Sequence, residues 1–164
     1  MPNLPIRTSL LLCAAFALVQ CSPPAQDAAP VASKAVDFSY DIALTLSPEA
    51  EAKMKARGDK LTVETLYYGN VTPKTANMAD PADGTLHLNI DIVEVEPASQ
   101  TVHMTGAGVD PVKLPHIAGQ KPLAMINVYA SKGGKKVPTI ACGVFQDYVA
   151  VAQEKPVALS CDLK

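Results

Sequence analysis

Between Phe38 and Leu46 the chain alternates strictly: Phe38, Tyr40, Ile42, Leu44 and Leu46 are separated by the small or polar Ser39, Asp41, Ala43 and Thr45. Period two is the side-chain repeat of a β-strand, so this stretch has one face for a core and one for water. The pattern returns in Lys60 to Tyr68, where Leu61, Val63, Thr65 and Tyr67 share a face. It returns again in Leu86, Leu88, Ile90 and Ile92, set inward against His87, Asn89 and Asp91, and in Val157, Leu159, Cys161 and Leu163. Strands that are apolar on one face must stack against a second layer, because a single sheet would leave that face wet.

The segments between these strands complete the outline. Ser47-Pro48 followed by Glu49 and Glu51 reads as an N-cap, a proline at the first helical position and acids near the positive end of the helix dipole. Lys53, Lys55, Arg57 and then Gly58 close a helix of about ten residues whose narrow apolar face, Ala50 and Met54, marks it as a surface element. In the third strand the parity flips after Ile92, where Val93 and Val95 become the apolar positions, which predicts a bulge near Ile92. A short strand over Thr101 to Thr105 follows, and Leu123 to Ala130 has the near-continuous apolar run of a central strand. Gly133-Gly134 suits a tight hairpin turn, the chain returns through Thr139 to Phe145, and Asp147 to Lys155 reads as a loop. Tryptophan is absent and aromatic residues make up 5% of the chain, so the core is aliphatic. The expected fold is mainly β: a two-sheet antiparallel sandwich of about seven strands, immunoglobulin-like or transthyretin-like, with one short surface helix.

Two of the four cysteines fit this scheme. Cys142 shares parity with Ile140 and Val144, and Cys161 with Leu159 and Leu163, so both point to the apolar face. If the last strands fold back on each other the two lie nearly opposite, and the expectation is a disulfide. Closing a loop of about 20 residues adds ~3 kcal/mol on the chain-entropy account.

The other two cysteines, Cys13 and Cys21, lie near the N-terminus. Arg7 is followed by the apolar run Leu10 to Val19, too short to span a bilayer but matched to the core of an export signal. It ends in Leu18-Val19-Gln20-Cys21, with an aliphatic residue three before the cysteine. These residues resemble the signal of bacterial lipoproteins. The resemblance implies cleavage before Cys21, an acyl anchor such as palmitate on that cysteine, and residence in the cell envelope. Ser22 stands where an aspartate retains related proteins in the inner membrane, so the implied address is the outer membrane facing the periplasm. Lipidation of Cys21 also leaves an even cysteine pair in an oxidising compartment. Residues 1–20 are then the signal peptide, and residues 21–36 the lipidated cysteine and a Pro/Ala-rich tether with no apolar period. Residues 37–164 form a single β-sandwich domain.

For chemistry the sequence offers no candidate catalytic, cofactor-binding or metal-ligating set. Gly-x-Ser-x-Gly, His-Glu-x-x-His, a phosphate loop and Cys-x-x-Cys are all missing. The lone Gly106-Ala107-Gly108 precedes no helix signal. His87 shares its expected face with Asn89 and Asp91 and lies one strand from His103, but the spacing is not that of a structural metal site. Lys132, Lys135 and Lys136 flank the glycine turn, where they read as solvating a hairpin tip. Tyr67 and Tyr68 read as one core tyrosine and one exposed neighbour. A formal charge of −2 gives no footprint for nucleic acid. The expected function is a non-enzymatic binding or assembly module of the envelope, with the membrane as partner through its lipid and an envelope protein or cell-wall component as ligand. An inhibitor of a cell-wall hydrolase and an envelope enzyme with an unfamiliar site are the alternatives. Two Gly- or Pro-rich loops, Val71 to Gly84 and Gly106 to Lys121, are the expected recognition segments.

Overall fold

The structure, a computed structural model, describes residues 36–164. The expected signal peptide, the lipidated Cys21 and the tether up to residue 35 lie outside the described residues.

The alternation of Phe38 to Leu46 becomes strand β1, Tyr40–Leu46, with Tyr40, Ile42, Leu44 and Leu46 buried. β1 sits between β4 (Gln100–Met104) and β9 (Val157–Leu163). β7 (Ile140–Cys142) completes a four-stranded sheet in the order β4-β1-β9-β7. In the second sheet β2 (Lys60–Asn70) lies between β3 (Thr85–Val95) and β5 (Leu123–Lys132). The C-terminal end of β5 pairs with β6 (Lys135–Val137) and its N-terminal end with β8 (Phe145–Tyr148). The inner faces pack Ile42, Leu44, Met104, Val157 and Leu159 against Leu61, Val63, Tyr67, Ala124, Ile126 and Ala130.

The result is the expected mainly-β, two-sheet sandwich, with nine strands rather than seven. The segment read as one return strand, Thr139 to Phe145, is divided at Gly143: its first part joins the first sheet beside β9, and its second part joins the other sheet beside β5. Nor is every pairing antiparallel. β9 runs parallel to β1, Ile42 beside Val157 through Leu46 beside Cys161, because the last strand inserts between β1 and β7 instead of extending an edge.

Helix α1 (Pro48–Arg57) forms as its caps dictate, with Ser47 Oγ accepting from the Ala50 amide and Gly58 in the left-handed region at φ 67°. The two residues of its expected apolar face, Ala50 and Met54, are fully buried. A second helix, α2 (Val149–Glu154), occupies part of the segment expected to be a loop. Six residues carry too little periodicity to signal a helix, and α2 persists because Val149 and Ala152 pack into the core.

The bulge in β3 lies earlier than expected. Tyr67 pairs with Asn89 but Tyr68 pairs with His87, so Leu88 is the extra residue. Leu86 and Leu88 point inward before it, and Val93 and Val95 after it. Ile90 and Ile92, expected inside, are therefore outside, 54% and 59% exposed. Asn89 and Asp91 take the inward positions, where polar partners await them. Asn89 Nδ2 donates to Asp91 Oδ1 at 2.5 Å, and the Gly106 amide donates to Asp91 Oδ2 at 3.0 Å. A Cβ on Gly108 would stand 2.5 Å from Asn89 Nδ2, so only glycine lets the loop close over this pair.

The registers give the sandwich two distinct ends. At one, β1 begins, β2 ends, β5 begins, and Gln153 of α2 donates to the Asp37 and Ser39 carbonyls. At the other, the Ser47 amide donates to the Cys161 carbonyl, the hairpin from β5 to β6 turns, and Thr139 Oγ1 donates to the buried Asp59. Cys142 and Cys161 are cross-strand neighbours joined by a disulfide across a separation of 19 residues. Cys142→Ala is expected to destabilise the chain by ~2–5 kcal/mol, read as a lower urea midpoint, with the reduced wild type losing a similar amount.

Candidate interaction surface

The two loops expected to carry recognition meet at one end of the sandwich. Val71 and Ile117 form an isolated bridge between them, and Thr75 Oγ1 donates to the His116 carbonyl at 2.8 Å. Ile117 is buried against Gly69, where an added Cβ would fall 2.5 Å from its side chain. Lys113 Nζ crosses to the His87 carbonyl at 3.1 Å. Three 3-10 turns, Ala76–Met78, Pro111–His116 and Ala118–Gln120, shape the loops, and Met78 and Val112 are their exposed apolar residues. These contacts make the two loops one buttressed unit.

The histidines do not converge. The bulge leaves His87 outward and turns Asn89 and Asp91 inward, so the shared face expected of them does not exist. His87 Nε2 lies 2.8 Å from Asp83 Oδ2, His103 Nδ1 lies 2.8 Å from Asp41 in the other sheet, and His116 is in the loop. Among the described residues no three His, Cys, Asp or Glu are grouped to hold a metal.

The same bulge creates a surface that the sequence reading missed. On the outer face of the second sheet Ile90 lies beside Leu66, Leu66 beside Met125, and Met125 beside Gln146. In the next row Ile92 lies beside Glu64. Leu66 and Met125 are half-buried, so with Ile90 and Ile92 they form an aliphatic strip crossing three strands. Tyr68, expected to be exposed, is buried on this face, its hydroxyl accepting from Gln146 Nε2 at 2.6 Å, while Tyr67 is in the core as expected. Toward the other end of the face the strip gives way to carboxylates. Glu94 accepts from Ser131 Oγ at 2.7 Å and Glu64 from the Tyr129 hydroxyl at 3.2 Å. Burial, reinforced by the Glu64 charge, raises the Tyr129 phenol above its ordinary range. The parity flip was legible in the sequence. Its position was signalled by Asn89 and Asp91, two polar residues that need partners wherever they point.

A cavity of about 320 Å³ opens where the described chain begins, walled by Phe38, Pro122, Tyr148, Val149 and Val151 with Asp37 and Lys121 at its margin. Its largely apolar lining suits an aliphatic group. The disulfided Cys142 and Cys161 lie toward the opposite end, and Cys21 lies outside the described residues. No family model, no curated protein and no solved structure matches this chain.

The Asp83 carboxyl is held down to about 2, first by its hydrogen bond with His87 and then by the Thr85 amide and hydroxyl. A lowered carboxylate pKa favours the folded loop above the ordinary carboxylate range, and that preference is lost as pH falls through about 2. In His87→Ala the Asp83 titration, followed by the NMR shift of its carboxyl carbon, is expected to move up toward the ordinary value. An unmoved midpoint would show that the Thr85 contacts alone hold it.

Proposed function

We propose that this chain is a lipid-anchored protein of the bacterial cell envelope that works as a non-enzymatic binding or assembly module. The anchor is acyl chains on Cys21, and the address is the outer membrane facing the periplasm. The observation that supports binding is the aliphatic strip on the outer face of the second sheet. Ile90 and Ile92 are 54% and 59% exposed in the middle of a regular strand. Contiguous exposed apolar surface with a polar rim is costly to keep in water and marks contact surfaces more often than chance. A sheet also holds such residues in fixed positions, so little side-chain order is lost when a partner docks. The flanking Glu64 and Glu94 favour an envelope protein that presents apolar side chains beside lysine or arginine.

The test places a photo-crosslinking amino acid at Ile92 in the full chain in intact cells. One adduct of defined mass is expected, and Ile90→Glu in the same chain should abolish it. Because position 90 is exposed, that substitution should change folding stability by no more than ~0.5 kcal/mol. An adduct captured from Val112 and never from Ile92 would move the contact to the loops and defeat this assignment.

The anchor is tested separately. With Cys21→Ala the protein is expected to leave the membrane fraction and lose the mass of its acyl chains. A wild-type chain already soluble, with no acyl mass, would refute the envelope anchor while leaving the crosslink interpretable.

A further inference from the structure

The end of the sandwich remote from residue 36 collects cations that are far apart in sequence. Lys53 and Arg57 stand one turn apart on α1, Lys60 opens β2, and Lys132, Lys135 and Lys136 form the hairpin between β5 and β6. Direct contacts tie these elements together. Lys132 Nζ donates to the Arg57 carbonyl at 2.6 Å, and Lys60, across from Ser131, is paired with Glu96. Lys53 and Arg57 also line a shallow cavity of about 280 Å³ with Thr139 and Leu163.

This charge is only partly balanced locally, by Asp59, Glu96 and the Glu94 and Glu64 carboxylates bound to Ser131 and Tyr129. Arg57 Nε donates to Asp59 Oδ2 at 2.9 Å and Lys60 pairs with Glu96, whereas Lys132 faces Lys135 directly across the strand pair. Like charges placed opposite each other disfavour the hairpin unless an anion lies between them. Lys136 Nζ sits 4.7 Å over the Tyr129 ring, which holds that cation in place at the surface. The opposite end carries Asp37, Asp41, Asp80, Asp83, Asp110 and Glu154 interspersed with Lys74, Lys113, Lys121 and Lys155, so the run of neighbouring helix and hairpin cations is a local feature of the end remote from residue 36.

We propose that this basic end binds an anionic, carboxylate-bearing glycan polymer of the cell wall. An extended ligand fits better than a single phosphate, because the cations are spread over a helix and a hairpin around a shallow cavity. A polymer fits better than a lipid surface for a second reason. Adsorption to a bilayer combines charge with apolar insertion, yet Leu163 is the exposed large apolar residue here, while Val36, Met78, Val112, Tyr148 and Val151 lie toward the other end. Position agrees: β2 runs from Lys60 to Asn70, so the basic end lies roughly 33 Å from the end where the described chain begins. The proposal goes beyond the aliphatic strip and uses different residues. It draws from the proposed function only the envelope address.

The test is co-sedimentation of the full chain with purified peptidoglycan sacculi, at low and high salt. Binding at low salt that weakens with salt is expected. Reversing charge on the hairpin with Lys135→Glu and Lys136→Glu, or on the helix with Lys53→Glu, should each weaken binding, the hairpin pair by about tenfold. Lys74→Glu with Lys121→Glu, toward the other end, should leave it unchanged. Amidating the carboxylates of the sacculi should abolish it. The proposal is overturned if the wild type stays in the supernatant at low salt, or if both ends' variants lose binding equally. Tighter binding to phosphatidylglycerol vesicles than to sacculi, with the same variant pattern, would also overturn it, in favour of a membrane surface. None of these results depends on the Ile92 crosslink, so the two readings fail separately.

Discussion

One inserted residue, Leu88, sets the character of the second sheet. Because side chains alternate along a strand, a single extra residue exchanges the two faces of everything beyond it. Before the bulge β3 contributes Leu86 and Leu88 to the core, and beyond it Asn89 and Asp91 enter the gap between the sheets. Their amide and carboxylate demand hydrogen bonds there, and the Gly106 amide meets part of that demand. The loop after β4 is thereby fastened across the sandwich, and it is the loop that carries Ile117 to its bridge with Val71. The aliphatic strip outside and the joined loops at the end thus both trace to one change of register.

The interior near this point is unusually polar for so aliphatic a core. The Tyr40 hydroxyl donates to Thr65 Oγ1 at 2.9 Å, and the Tyr40 and Tyr67 rings pack 6.2 Å apart. The Tyr67 hydroxyl is buried with no partner among the described residues, and burial pushes its ionisation far above any accessible pH. An unpaired buried hydroxyl costs roughly 1–3 kcal/mol. The cost is tolerated because the ring itself fills the centre between the sheets.

At the other end a buried carboxylate has the organising part. Asp59 is 2% exposed. Burial by itself would raise its pKa, but the hydrogen bonds from Thr139 and Arg57, with the Arg57 and Lys132 charges, hold it below the ordinary range. One carboxylate thereby ties the end of α1 to the segment before β7, with Lys132 of the hairpin close by, its Nζ on the Arg57 carbonyl. Only the carboxylate is buried, the Arg57 side chain being exposed, so removing a partner of Asp59 leaves a buried charge less well compensated, whereas removing Asp59 leaves Arg57 in water.

What the sequence by itself determined was local. Alternation over two residues identified β1, β2 and β9. Ser47, Pro48 and Gly58 bounded α1, and the parity of Cys142 and Cys161 anticipated their bridge. The proposed export signal rests on the residues around Cys21 alone. Tertiary structure decided whatever depended on distant partners. Whether the parity of β3 flips at Leu88 or at Ile92 turned on where Asn89 and Asp91 could be satisfied. The parallel pairing of β9 with β1, the packing that makes α2 a helix and the meeting of the two loops were decided in the same way. So was the gathering of Lys53, Arg57 and Lys132 to Lys136 at one end. These arrangements join residues tens of positions apart, and their free energy lies in contacts that no short window of sequence contains.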